Sequence, residues 1–245
     1  FGSAIIGRLL ESRGYRVGMI SQPDWRKKES IQVFGEPRLG FLVTAGNMDS
    51  MVNHYTVSKK HRSTDAYSPG GKMGLRPDRA SVVYSNLIRQ TYKHTPIILG
   101  GIEASLRRMA HYDYWENKVR KPVLCDAGAD ILVYGMGETA TIEIAKRLSK
   151  GVPVNSITDV KGTGYMAASP SECKFNSVVC ASYEEVSTDK KSYAQATMIQ
   201  YDEHDPVRGK AIIQRVGNRY LIVNPPQMPL STEEFDRVSE LPYVR

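Results

Sequence analysis

A chain of 245 residues with 41% hydrophobic and 24% charged side chains carries enough apolar surface for a full core, and its composition excludes collagen-like, disordered and membrane-embedded classes. Lysine and arginine outnumber aspartate and glutamate by 33 to 26, a formal charge of +7, which suits either a solvated basic surface or an anionic partner such as nucleic acid. Cys125, Cys173 and Cys180 are an odd, sparse set, unlike a disulfide framework, so a reducing cytoplasm is expected, and no run reaches the roughly 18 apolar residues of a membrane span.

The chain opens on Phe1 rather than Met, so the expectation is that it begins inside a longer protein. Helical spacing of apolar residues with a glycine stop predicts a helix over 3–13, and a buried strand is expected over 15–20. Residues 39–44 read as the second strand, followed by Ala45-Gly46-Asn47 and a helix from Asp49. The stretch 54–79 is polar, basic and glycine-rich, without periodicity, as expected of a functional or disordered loop.

Helical spacing resumes over 79–92, and 96–99 is a short apolar strand ending in Gly100-Gly101. The cycle repeats with a strand over 129–134, ending in Gly135, and a helix over 138–148 closed by Gly151. Apolar strands alternating with amphipathic helices predict an α/β fold with a doubly wound, mainly parallel sheet. Residues 1–151 are expected to form this Rossmann-like domain. Residues 152–245 are expected to add a helix over 182–200, a β-hairpin over 210–223 around Gly217-Asn218, and a linker into a capped helix near Ser231.

Ligands of open parallel sheets collect outside the carboxyl ends of the strands, which makes the glycine turns the first place to look. Gly100-Gly101-Ile102-Glu103 and Gly135-Met136-Gly137-Glu138 each place glycines at a strand end and an acid at a helix start. Either the turns receive a ligand, or the glycines only shape the backbone and the acids complement helix dipoles. Neither matches the GxGxxG dinucleotide fingerprint, and Gly70-Gly71-Lys72 fails the GxxxxGK[ST] phosphate loop because Met73 replaces the hydroxyl residue.

No Cys/His spacing suggests a metal site. Asp202-Glu203-His204 has the DxH start of a cobalamin lower-ligand motif, but Val207 stands where glycine is required. His111-Tyr112-Asp113-Tyr114-Trp115, just after Arg107-Arg108, is suited to stacking on a ring beside a phosphate or to anchoring a domain interface.

Several ordered blocks carry a resemblance: Ser21-Gln22-Pro23-Asp24-Trp25, Thr44 through Asn53 (TAGNMDSMVN), Arg76-Pro77-Asp78-Arg79, Gly100 through Arg108 (GGIEASLRR), Ala110 through Trp115 (AHYDYW), Tyr134 through Glu138 (YGMGE), Asn224-Pro225-Pro226 and Leu241-Pro242-Tyr243. In these blocks, spanning nearly the whole chain, the sequence resembles the amino-terminal domain of YgiQ-type radical S-adenosylmethionine proteins. The resemblance implies a longer protein whose next segment is a radical barrel with a CxxxCxxC loop binding a 4Fe–4S cluster and S-adenosylmethionine. That motif is absent here, so no catalytic or metal-ligating residue is expected in this chain.

The resemblance also implies a cobalamin-binding-like domain whose rim shapes the substrate entrance of the adjoining barrel. The ligand or interface candidates are Gly46, Asn47, Asp49, Gly100, Gly101, Glu103, Arg107, Arg108, His111, Tyr112, Tyr114, Trp115, Gly135, Gly137 and Glu138. The competing expectation is a self-sufficient binding module for an anionic ligand or RNA.

Overall fold

The structure, a computed structural model, describes residues 2–243. Three short strands, β1 (Phe41–Val43), β2 (Ile97–Leu99) and β5 (Ile131–Val133), form the parallel part of one sheet, in register Leu42↔Ile98 and Ile98↔Ile131. Every residue of β2 and β5 is buried, which is why both read as unbroken apolar runs rather than as alternating ones. Ile97, Leu99 and Leu132 face a core shared with α3 (Ala80–Thr91) and α5 (Val123–Ala127). Ile98, Ile131 and Val133 face the other side, against α6 (Glu138–Ser149). Helices therefore cover both faces, as the α/β reading expects.

The sheet continues past β5 with the order β1-β2-β5-β6-β9-β8-β7. β6 (Thr163–Ala167) is antiparallel to β5, β9 (Arg219–Val223) antiparallel to β6, and β8 (Ala211–Val216) antiparallel to β9, while β7 (Ser177–Val179) runs parallel to β8. The expected hairpin is β8–β9, turning at Gly217 and Asn218 with Val216 opposite Arg219. These directions bring the carboxyl ends of β1, β2, β5 and β9, and the amino end of β8, to one rim.

Two sequence expectations are corrected. The segment 15–20 is not a strand: α1 (Gly2–Glu11) ends before it, and Val17 and Met19 lie 3.9 and 3.3 Å from where a Cβ on Gly7 would stand. Val17 and Met19 thus lie back against α1 instead of entering a ladder. The expected helix over 182–200 is two helices, α7 (Tyr183–Thr188) and α8 (Lys190–Asp202), because Asp189 leaves the helical conformation and caps the second through the N–H groups of Lys191 and Ser192.

Between β2 and β5 the chain forms α4 (Gly101–Leu106) and a small antiparallel ribbon of β3 (His111–Asp113) and β4 (Lys118–Arg120) before α5. The remaining helices are α2 (Ser50–His54), capped by Asp49, and α9 (Thr232–Ser239), capped by Ser231 as expected. Among the described residues, no helix is long and apolar enough to cross a membrane.

Candidate functional site

Gly46 and Asn47 follow β1, Gly100 and Gly101 follow β2, and Gly135 and Gly137 follow β5, so all six lie at the shared rim. Gly101 adopts φ +81°, and a Cβ there would run into the Thr44 side chain at the end of β1. Glycine is thus demanded by backbone conformation and by the close approach of two neighbouring turns. At Gly137 a Cβ would stand 3.0 Å from Val133 Cγ1, so that turn is also closed to larger residues.

Directly beneath these turns lies a buried polar framework centred on Glu103, which is only 1% exposed. One carboxylate oxygen accepts from the Ser50 N–H (2.8 Å) and hydroxyl (2.6 Å), and the other accepts from the Ser81 N–H (2.9 Å). Ser50 Oγ in turn accepts from the Ala80 N–H at 3.1 Å. Glu103 therefore complements the amino ends of α2 and α3 rather than the end of its own helix, where unpaired N–H groups and the dipole favour an anion. Asp49 caps α2 through Met51 and Val52 and pairs with Arg107, whose guanidinium also lies 3.8 Å from Glu103.

The loop 54–79 is tied to the first turn by buried charges. Arg76 donates to the Ala45 carbonyl (2.9 Å) and pairs with the fully buried Asp65 at 3.3 Å. Burial pushes the Asp65 carboxyl up, but Ser68, the Tyr67 N–H, Asn53 and Arg76 outweigh it and hold the group below the ordinary range. Gln22 donates to Ser68 at 2.6 Å, joining the amino-terminal segment to the same set. Farther along, Asp78 binds His54 Nδ1 at 2.7 Å and accepts from the Tyr55 hydroxyl at 2.6 Å. Burial first, and then Asp78, push that phenol up to about 12.

The aromatic segment 111–115 packs mainly on the molecule's own loop. The Tyr114 hydroxyl donates to the Val57 carbonyl (2.8 Å), Lys59 sits 4.8 Å from the centre of the Tyr114 ring, and Trp115 lies 5.6 Å from Tyr55. His111 is half-buried with Nδ1 at 3.1 Å from the Met109 carbonyl, and burial lowers its pKa. Tyr112 and Tyr114 keep exposed ring faces. Asp113 is buried and paired with Arg79 at 2.9 Å, which together with Arg120 also holds Glu116. A shallow cleft between Arg79, Arg107, Arg120 and His111 borders Glu103 and Asp126, and each of its arginines is already matched by a carboxylate.

Of the residues expected beside the rim, Glu103 and Arg107 lie in and just after α4, where Asp49 joins them by pairing with Arg107, and Glu138 lies apart from them in the first turn of α6. Sequence reasoning missed Ser50, Asp65, Arg76 and Ser81. Asp65 and Arg76 stand 11 positions apart in a loop, so no helical or strand period links them. The available signal was the arginine of the Arg76-Pro77-Asp78-Arg79 block.

The cysteines do not fit an iron–sulfur cluster in this chain. Cys125 lies on α5 with its sulfur 3.7 Å from the Met166 sulfur, Cys173 donates to the Phe175 carbonyl, and the buried Cys180 donates to Ala181. Burial raises the Cys125 and Cys180 thiols, with Cys180 pushed up to about 12, which disfavours the thiolate form that iron requires. Among the described residues, no three His, Cys, Asp or Glu side chains are arranged to hold a metal.

Comparison with known proteins adds the family. The chain is 56% identical over 245 residues to a UPF0313 protein of Clostridium perfringens strain 13, and 55% identical to one of Clostridium botulinum strain ATCC 19397. Each alignment takes in all of this chain but only 37% and 38% of the relative's length. No solved structure matches. The Radical SAM N-terminal family matches residues 1–245 from end to end, and with this glycine-turn rim over an α/β sheet the chain belongs to that family.

Proposed function

We propose that these residues form the amino-terminal domain of a longer radical S-adenosylmethionine protein, and that the glycine-turn rim faces the adjoining radical barrel and helps enclose its substrate. The observation that carries this reading is the apolar surface around the turns. Ile102, Leu106 and Met136 are 47%, 61% and 47% exposed, and all three lie on the rim elements that follow β2 and β5. Apolar side chains gathered at a strand-end rim mark a surface that another body covers.

The rim is also rigid. Glu103, Ser50, Arg107 and Arg76 fix the turns from below, so the surface is presented in a set shape. The 4Fe–4S cluster and S-adenosylmethionine belong to the remainder of the protein in this reading, because the cysteines present here are dispersed and burial pushes the Cys125 and Cys180 thiols up.

Gly101 and Gly137 are poor probes, since their substitution would disturb packing directly. Ile102→Asp and Met136→Glu in the full-length protein place charge on the open rim instead. Turnover or reductive cleavage of S-adenosylmethionine is expected to fall at least tenfold, with cluster content and melting temperature unchanged. Wild-type turnover in folded, cluster-loaded variants would remove the reading.

A further inference from the structure

Seven of the eight arginines that are buried or half-buried have a carboxylate within ion-pair distance: Arg8 with Glu11, Arg76 with Asp65, Arg79 with Asp113, Arg89 with Asp130, Arg107 with Asp49, Arg120 with Asp126 and Arg147 with Glu143. Among the described residues Arg108 is the exception. Its guanidinium lies 5.0 Å from the centre of the Tyr134 ring and donates one N–H to the Ser105 carbonyl at 2.8 Å, and its Nε is buried without a partner. Burial accordingly lowers its pKa, the mark of a cation held in a poorly solvated place without a counter-charge.

Arg108 lines a cleft at the strand-end rim, between the β5 turn and the β8–β9 edge, with Tyr134, Gln200, His204, Lys210 and Asn224. Lys210 has no ion-pair partner among the described residues either. Glu203 also borders the cleft, but its carboxylate accepts from the Lys210 backbone N–H at 2.6 Å. The cleft is thus lined by two cationic residues and by one carboxylate that is already engaged.

Asn224 is 1% exposed and its amide orientation is fixed, because Nδ2 donates to the Thr158 and Val160 carbonyls and to Thr163 Oγ1. Its Oδ1 is left buried without a donor. Tyr134, whose hydroxyl donates to the Asn224 carbonyl at 2.5 Å, fixes the ring on which Arg108 rests.

We propose that this cleft binds an oxyanion of the phosphate type, held by the Arg108 guanidinium, with Lys210 at the lip and Asn224 Oδ1 accepting from a protonated ligand oxygen. A guanidinium offers the forked donors that such groups prefer. A hydrogen phosphate brings acceptors for Arg108 and a donor for Asn224, whereas a plain carboxylate brings acceptors only. The inference is independent of the domain-interface reading, and its test reads binding rather than turnover.

Full-length protein is titrated with inorganic phosphate, and separately with acetate, by calorimetry or by 31P line broadening for phosphate. Phosphate is expected to bind more tightly than acetate. Arg108→Gln should weaken phosphate at least tenfold and Lys210→Gln by a few-fold, while Arg13→Gln, on an exposed turn after α1, should leave it unchanged. Lys210 is exposed, so its variant keeps the test intact should Arg108→Gln fail to fold. Equal phosphate affinity in Arg108→Gln and wild type, tighter binding of acetate, or no binding of phosphate, as when a carboxylate of the protein's own remaining chain fills the cleft, overturns the proposal.

Discussion

The strand-end rim has two halves built on opposite electrostatic terms. Around β1 and β2 every buried charge meets an opposite charge or helix N–H donors: Glu103 against α2 and α3, Asp49 against Arg107, Asp65 against Arg76. Around β5, β9 and β8, Arg108 is left without a carboxylate and Asn224 Oδ1 without a donor. Desolvating an ion is costly, and the cost is recovered only where partners are already in place. The first half therefore reads as scaffold, while the second leaves capacity for something from outside. Adjacent arginines in one sequence, Arg107 and Arg108, fall on the two sides of this division.

The largest effect expected on the scaffold side comes from breaking its deepest ion pair. Arg76→Met leaves Asp65 buried without its cation and frees the Ala45 carbonyl, which should cost about 3–5 kcal/mol in chemical denaturation. Asp65→Asn/Arg76→Met together should cost less than the sum of the two single changes, because the stranded charge is gone. Additive losses would show that the two residues do not act as a pair.

Glu103→Gln comes next. The variant keeps the shape but turns an amide NH2 toward at least one N–H donor, and it removes the charge from two helix amino ends. A loss of about 1–3 kcal/mol is expected, with slowed amide exchange in α2 and the start of α3 lost first. A stability within 0.5 kcal/mol of wild type, roughly the scatter of neutral surface changes, would show that Glu103 is not the node that joins the helices.

Acid should act on the same half. Asp65 and Asp113 have folded-state pKa values below the ordinary carboxylate value, through hydrogen bonds and arginine partners that outweigh burial. A depressed folded pKa means that the stabilisation is fully present above the unfolded value, about 3.9, and is lost as pH falls through the folded value. Melting temperature should therefore drop steeply below about pH 4. Asp113→Asn should flatten that limb while lowering stability at neutral pH, and an unchanged acid limb would count against the pairing with Arg79.

Much of this architecture was legible in the sequence because it rests on local signals. The buried runs Ile97–Leu99 and Ile131–Val133, the glycine after each, and the cap residues Asp49 and Ser231 all announce themselves within a few positions. The segment 15–20 misled because its apolar residues are as well placed to pack on a helix as to enter a sheet, and sequence does not say which. The rim as a location could be read from strand ends alone. The split between its halves could not, because Asp65 with Arg76, Glu103 with Ser50 and Ser81, and Arg108 with Asn224 are brought together by the crossovers and the sheet order.

The smallest stability effect is expected at the residue that most sharply separates the halves. Arg108→Gln forfeits the contact over Tyr134, about 0.5–2 kcal/mol, and the bond to the Ser105 carbonyl, about 1 kcal/mol. It also removes a half-buried cation that no carboxylate answers, and relief from that desolvation offsets much of the loss. The net change should stay within about 1 kcal/mol of wild type, against a clearly larger loss for Arg107→Gln, which strands Asp49 beside the Glu103 framework. Phosphate should then separate the two again: a ligand that binds only the folded state raises its stability with concentration, so added phosphate should raise the melting temperature of wild type and of Arg107→Gln but not of Arg108→Gln. An Arg108→Gln variant as destabilised as Arg107→Gln, and equally responsive to phosphate, would mean that the two arginines do the same structural work and that the rim has no such division.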